Sequence, residues 1–134
     1  MSVKPAWTEL IISGRKTVEL RRRFPKFSNR AITALLYSTG PAMAMVGAVR
    51  IKETMVLPPA LLWPRVADRA CVTEGEYKAY FEGAKDACAL FLGAVDILAS
   101  PFSLAQLRLA ADFAPPMSWR WAKPRELELV KELT

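Results

Sequence analysis

The chain has 134 residues, of which 52% are apolar and 24% are charged, so its length and composition are those of one globular domain and exclude a wholly disordered chain. It has no histidine, which excludes imidazole catalysis and histidine metal sites, and its two cysteines are too few for a four-thiolate zinc site or a disulfide framework. The net charge of +6 is uneven: residues 1–67 carry eleven basic and three acidic side chains, which favours a polyanionic partner, nucleic acid before an anionic membrane.

The N-terminal part is predicted to form a helix that leads directly into a basic strand. Pro5 suits the first position of a helix over residues 5–13, and Gly14 suits a left-handed residue just beyond its end. Residues 16–23 then alternate between apolar and mostly basic side chains. This alternation predicts a strand with one buried face and one polar, basic face.

The rest of the chain is divided by glycine, proline and capping residues. The predicted elements are strands over residues 32–39, 45–53 and 87–98 and helices over residues 60–69, 74–82, 101–111 and 124–134. Thr73 and Ser103 are predicted N-caps, Pro64 predicts a broken helix, and Gly47 predicts a bulge or a close backbone approach. Because strands and helices do not alternate regularly, we predict an α+β fold, a small, partly closed β-barrel with flanking helices.

No segment predicts a membrane span or a signal peptide. The longest uncharged stretch, residues 31–49, is interrupted by a turn at residues 38–41, and a spanning helix needs about 20 apolar residues. We therefore expect a cytoplasmic protein with no membrane partner. Cys71 and Cys88 form no C-x-x-C motif, so we predict buried, structural thiols, and we expect neither a metal nor a cofactor.

The strongest functional signal is the segment over residues 14–23 (GRKTVELRRR). Five of its ten residues are basic and only Glu19 is acidic. Such crowding is unfavourable on a solvated strand edge but favourable against a phosphate backbone, so we prefer ligand binding to a purely solvated edge. Glu19 would then orient a neighbouring cation or accept a hydrogen bond from a base amino group. Trp119 and Trp121, which flank Arg120, either stack bases or pack in the core.

Several blocks of the sequence resemble the activating-signal-cointegrator homology (ASCH) family of the PUA-like superfamily. The similar segments are residues 14–21 (GRKTVELR), 36–41 (LYSTGP) with 46–47, 80–83 (YFEG) and 101–104. The resemblance covers most of residues 3–121 and implies a PUA-like domain over residues 1–123. Residues 124–134 would form a helical C-terminal extension.

The resemblance implies a cleft beside the lysine–threonine strand that binds RNA or a nucleotide-like ligand. Together with the basic strand, it gives the predicted binding residues Lys4, Lys16, Glu19, Arg21, Arg22, Arg23, Tyr37, Ser38, Ser118 and Arg120. Some superfamily members are enzymes, so the alternative is catalysis in the same cleft, by an amidohydrolase of N-acetylated cytidine or a metal-independent ribonuclease. Lys16 and Glu19 would then be catalytic.

The amidohydrolase alternative meets one departure from that branch of the superfamily. Glu19 stands where those enzymes carry a threonine, and Glu74 or Glu76 is the candidate for their distant glutamate. A third interpretation is a protein-interaction module that uses residues 61–63 (LLW), which would otherwise pack against the sheet.

Overall fold

A computed structural model of the chain describes residues 1–26 and 31–133. In chain order its elements are β1 (Ser2–Val3), α1 (Pro5–Ile12), β2 (Val18–Arg21), β3 (Ile32–Ser38), β4 (Ala44–Leu57), α2 (Pro59–Val66), α3 (Glu74–Tyr80), β5 (Ala87–Ser103), α4 (Leu104–Ala111) and α5 (Pro124–Leu133). Each predicted helix and strand is present, with shifted ends. The strand β1 was not predicted, because two residues are too few to show an alternating pattern.

The strands form one mixed sheet in the order β1-β3-β4-β5-β2. β1 runs parallel to β3, and the other neighbours are antiparallel. β1 and β2 are therefore the two edges, and no backbone ladder between described strands closes the sheet into a barrel. Arg21 on β2 nevertheless donates a hydrogen bond to the carbonyl of Ser2 on β1 at 2.9 Å. The predicted α+β class is confirmed, and the predicted partial barrel is an open sheet whose edges are bridged by a side chain.

Gly47 allows the two longest strands to approach each other closely. It lies opposite Ile97, and the register of β4 against β5 shifts between Met45 and Gly47. A Cβ atom at this position would lie 2.4 Å from the carbonyl oxygen of Asp96. The predicted bulge and the predicted close backbone approach are both confirmed.

Two capping residues and one glycine in the sequence correctly predicted three of the helix ends. Thr73 and Ser103 each form a complete capping box with the residue three positions later. Gly14 adopts a left-handed conformation, with φ +80°, after α1. The predicted break at Pro64 is wrong, because Pro64 lies inside α2, where its missing N–H removes only one backbone hydrogen bond.

The C-terminal helix packs on the main body of the protein. Leu129 and Val130 of α5 belong to the same buried cluster as Tyr37 and Phe113. The division of the chain at residue 123 stays a prediction.

No helix in the described part of the chain is long and apolar enough to cross a membrane.

Two other predictions have mixed outcomes. Cys88 is buried as predicted, whereas Cys71 is only half-buried and adopts a positive φ of 56°. Within residues 61–63, Leu62 lies in the core, Trp63 packs against the core cluster and Leu61 is exposed. Most of this segment therefore packs against the sheet.

Candidate functional site

The basic segment around β2 is divided between the interior and the surface. Lys16, Glu19 and Arg21 are buried, whereas Arg22 and Arg23 are exposed. The sequence predicted one buried face and one polar, basic face for this strand, and the residues of β2 are buried on both faces. Residues distant in sequence cover the polar face, including Ser118, which accepts a hydrogen bond from Arg21.

Two adjoining cavities, of about 310 and 390 Å³, lie beside β2. We call them together the β2 cleft. Their shared lining residues are Lys4, Trp7, Glu19, Leu20 and Tyr80; the first cavity adds Lys16, Val72, Glu76 and Tyr77, and the second adds Ser2, Val3, Arg21, Thr39, Met117 and Ser118. The structure thus brings together five predicted site residues, Lys4, Lys16, Glu19, Arg21 and Ser118.

Lys16 is a buried amine in the wall of this cleft. Its side chain donates a hydrogen bond to the carbonyl of Ala70, and its Nζ lies 5.0 Å from the centroid of the Trp7 ring. Burial lowers the pKa of Lys16, and the nearby carboxylate of Glu19 opposes this effect without cancelling it. Lys16 therefore loses its proton more readily than a surface lysine.

Arg21 connects the floor of the cleft with both sheet edges. Its guanidinium donates hydrogen bonds to the Ser118 hydroxyl and to the Ser2 carbonyl, each at 2.9 Å. One Glu19 oxygen accepts a hydrogen bond from the Leu20 N–H at 2.8 Å, and the other lies 3.6 Å from Arg21 Nη2. Within the described residues, the buried Nε of Arg21 has no hydrogen-bond partner. This charge pair is fixed in position but not fully satisfied.

Aromatic side chains complete the walls of the cleft. Trp7 is half-buried, and Tyr80 is 43% exposed. Sequence analysis did not identify either residue as functional. Trp7 gave no separate signal, because the spacing of the apolar residues in α1 explained it as core.

Of the two candidate glutamates, only Glu76 borders the cleft. It shares a cavity with Lys16, and hydrogen bonds from Thr73 lower the pKa of the Glu76 carboxyl. Glu74 lines a different cavity and lies 3.2 Å from Lys78. A lysine and an ionised carboxylate therefore face the same space.

Five predicted site residues do not line the β2 cleft, and three of them, Tyr37, Ser38 and Arg120, have partners elsewhere. Tyr37 packs against Phe113, with ring centroids 5.4 Å apart, and the Ser38 and Thr8 hydroxyl oxygens are 3.1 Å apart. Arg120 donates hydrogen bonds of 2.6 and 2.8 Å to a single buried carboxylate, that of Glu126. Tyr37 and Arg120 line a separate cavity of about 70 Å³. A ligand-binding role for these three residues stays a prediction.

The two exposed arginines lie at the outer rim of the site. Arg22 donates hydrogen bonds to the carbonyls of Tyr80 and Glu82, at 3.1 and 3.3 Å. The carbonyl of Arg23 accepts a hydrogen bond from the Trp119 indole N–H at 3.1 Å.

In the part of the chain that the structure describes, no group of three acidic or cysteine side chains is arranged to hold a metal ion.

Comparison with known proteins gives the family. The model of the ASCH domain matches residues 1–130. The chain belongs to the ASCH domain family. An ASCH domain-containing ribonuclease of Zymomonas mobilis subsp. mobilis is 33% identical over 135 residues, which cover all of this chain and 90% of that protein. The family predicted from the sequence is therefore confirmed.

Solved ASCH structures show the same fold. The crystal structure of the Zymomonas mobilis ASCH protein aligns with a TM-score of 0.90 and 30% identity, over 99% of this chain and 92% of that one. A tyrosine-to-phenylalanine variant of the same protein aligns with a TM-score of 0.91, over 99% and 95% of the two chains. The predicted PUA-like ASCH architecture is therefore confirmed.

Proposed function

We propose that this ASCH domain protein binds single-stranded RNA, or a nucleotide-like ligand, in the β2 cleft. One observation carries the proposal: cations and aromatic rings line the same concave surface. Lys4, Arg21, Trp7 and Tyr80 line one cavity, where the two cations would attract phosphates and the two rings would stack on bases. Single-stranded nucleic-acid sites are commonly built from this combination.

Glu19 is the group best placed to contact a base edge. Its carboxylate is an acceptor only, and the 3.6 Å separation from Arg21 leaves that oxygen without a close hydrogen bond to the guanidinium. A carboxylate accepts hydrogen bonds from base amino groups, such as the N4 amino group of cytosine. Arg21 and the Leu20 N–H orient this carboxylate, so it would discriminate among bases and not contact phosphate.

The binding proposal is tested by fluorescence anisotropy with a labelled single-stranded RNA at several salt concentrations. Lys4→Ala removes an exposed cation at the cleft, and Lys85→Ala removes an exposed cation that lines neither cavity of the cleft. We expect Lys4→Ala to raise the Kd about 5-fold and to reduce the salt slope by about 0.7, the change for one phosphate contact. Salt-independent binding, or equal effects of the two substitutions, would contradict the proposal.

A second function, metal-independent RNA cleavage, is favoured by the 33% identical relative that carries the name ribonuclease. In such a reaction a general base takes the proton of a ribose 2′-hydroxyl, and the 2′-oxygen attacks the adjacent phosphorus. The bond to the 5′-oxygen breaks, and the protonated base returns the proton to the leaving 5′-oxygen, directly or through water. Glu19 or neutral Lys16 would act as the base, and Arg21 would stabilise the negative charge on the non-bridging phosphate oxygens. The products are a 2′,3′-cyclic phosphate and a 5′-hydroxyl.

Cleavage is tested with end-labelled RNA in the presence of EDTA, and N-acetylated cytidine is assayed in parallel for the amidohydrolase alternative. We expect Glu19→Gln and Lys16→Met to lower kcat by at least about 100-fold, the usual contribution of a general base, while Lys85→Ala keeps full activity. RNA turnover that survives both cleft substitutions would show that the activity belongs to a contaminant or to another site. Turnover of the acetylated nucleoside alone would select the amidohydrolase, in which Lys16 faces Glu76.

A further inference from the structure

A large aromatic side chain is exposed just outside the β2 cleft. Trp121 is 66% exposed, and its ring meets the ring of Trp119 edge to face, with centroids 6.0 Å apart. Trp119 in turn packs against Phe24, with centroids 5.2 Å apart. A tryptophan held in position from below but open to solvent above is suited to stacking against a flat partner. We call Trp119 and Trp121 the tryptophan platform.

Uncompensated positive charge lies next to this platform. The hydrogen bond from the Trp119 indole to the Arg23 carbonyl joins it to the basic segment after β2. Arg22 and Arg23 are exposed, and no carboxylate among the described residues forms an ion pair with either of them. Arg120, between the two tryptophans in sequence, has its charge neutralised by Glu126. Arg22 and Arg23 therefore carry positive charge that is available to a ligand.

The platform and its neighbouring cations adjoin residues of the cleft along the chain. Ser118, which accepts a hydrogen bond from Arg21 inside the cleft, directly precedes Trp119. On the other side, Arg22 directly follows Arg21 and donates to the carbonyl of Tyr80. Three residues span at most about 11 Å, so the Cα atoms of Ser118 and Trp121 are no more than about 11 Å apart. An RNA strand that leaves the cleft beside Ser118 would therefore reach the platform directly.

We propose that the tryptophan platform is a second RNA subsite, at which a base stacks on Trp121 while Arg22 and Arg23 contact the adjoining phosphates. This inference rests on the proposed function, because the strand bound in the β2 cleft continues onto the platform. The cavity lined by Trp119 and Trp121 has a volume of about 70 Å³, about half of the roughly 150 Å³ of a cavity that holds a benzene ring. The base therefore lies on the exposed ring of Trp121 and does not insert beneath it.

The test compares two labelled single-stranded RNAs, a trinucleotide that fills only the cleft and a nonanucleotide that reaches the platform. Their Kd values are measured for the wild type and for Trp121→Ala, Trp121→Phe and Leu109→Ala. Leu109 is 91% exposed on α4 and lines neither the cleft nor the cavity at the platform, so its substitution controls for loss of exposed apolar surface. Circular dichroism confirms that each variant is folded.

Trp121→Ala is expected to raise the Kd of the nonanucleotide between about 5-fold and 150-fold, the range for one lost stacked base, and to leave the trinucleotide Kd unchanged. Trp121→Phe is expected to restore most of the affinity, and Leu109→Ala to have no effect. If the Kd of the nonanucleotide is unchanged in Trp121→Ala, the proposed subsite is refuted but the β2 cleft is not. The same result is expected if Trp121 contacts a protein partner instead of RNA. Failure of the wild type to bind either RNA overturns the proposed function as well.

Discussion

Removing Arg120 tests whether this arginine stabilises the fold or contacts ligand. Two of its nitrogens donate to the Glu126 carboxylate, which is only 2% exposed. In Arg120→Ala that carboxylate keeps the hydrogen bond from the Lys123 N–H but loses its counter-ion. Breaking a buried ion pair by removing one partner costs about 3–5 kcal/mol. Because the Arg120 side chain is 28% exposed, we expect a value near 3 kcal/mol.

This cost corresponds to a large change in melting temperature. A chain of this length has an unfolding entropy of about 0.28 kcal/mol/K, so a loss of about 3 kcal/mol lowers Tm by about 11 °C. Thermal and urea denaturation followed by circular dichroism measure the change. The matched control is Arg125→Ala in α5, which removes only exposed ion pairs with Glu128 and Glu132 and should cost less than about 1 kcal/mol.

The stability difference should also depend on pH. Burial raises the pKa of Glu126, but hydrogen bonds from Arg120 and Lys123, together with their charges, outweigh it and leave the pKa below its ordinary value of 4.5. A lowered carboxyl pKa stabilises the fold above 4.5, and this contribution is lost as the pH falls through the folded-state pKa. In Arg120→Ala burial dominates, and the neutral acid is tolerated. The gap between wild type and variant is therefore expected to be full at pH 7 and smaller at pH 4.

The opposite pattern would refute this argument. If Arg120→Ala melts at the wild-type temperature but raises the Kd for the trinucleotide, Arg120 contacts ligand, as the sequence predicted. The trinucleotide is the informative probe, because a disturbed tryptophan platform would weaken only the longer RNA. Binding is measured well below the Tm of the variant, so that partial unfolding does not imitate lost affinity.

Two further outcomes follow from the packing. Gly47→Ala should lower the free energy of unfolding by at least about 1–3 kcal/mol, because its Cβ would lie 2.4 Å from the Asp96 carbonyl oxygen. The control is Gly75→Ala in a helix, where the nearest atom is 3.9 Å from the new Cβ, and it should leave stability unchanged or raise it by up to about 1 kcal/mol. Equal melting temperatures of the two variants would contradict the bulge. Burial raises the pKa of the Cys88 thiol to about 11. At pH 8 a thiol reagent should therefore label Cys71 first and Cys88 only after denaturation. Labelling of both thiols at equal rates would contradict the burial of Cys88.

Features that depend on a few neighbouring residues were predictable from the sequence. The caps at Thr73 and Ser103 are satisfied by residues three positions away. Gly14 ends α1 through its own backbone conformation, because its φ angle is positive whereas the φ angles of a helix are negative. Gly47 signals a bulge for the same reason: a missing side chain is visible in the sequence. The α+β class follows from the order of these local elements.

Features created by distant contacts were not predictable. The alternation in β2 correctly separates Val18 and Leu20 from their neighbours but does not show that Glu19 and Arg21 are buried as well. Ser118, one of the residues that cover Arg21, is 97 positions away. No periodicity in a strand records which distant segment packs over it. Pattern analysis therefore identified the charged segment but treated its buried and exposed cations as equivalent.

The two ion pairs with low exposure differ in a way that bears on function. The Arg120–Glu126 pair has short hydrogen bonds from two guanidinium nitrogens, as expected of a pair that stabilises a fold. The Arg21–Glu19 pair is separated by 3.6 Å, and a buried nitrogen of Arg21 lacks a partner among the described residues. Desolvating such a pair costs more than its attraction returns, and unsatisfied buried groups are rare in native proteins. An incompletely satisfied pair beside an open cleft is better explained by ligand recognition than by stability, which supports the β2 cleft as the binding site.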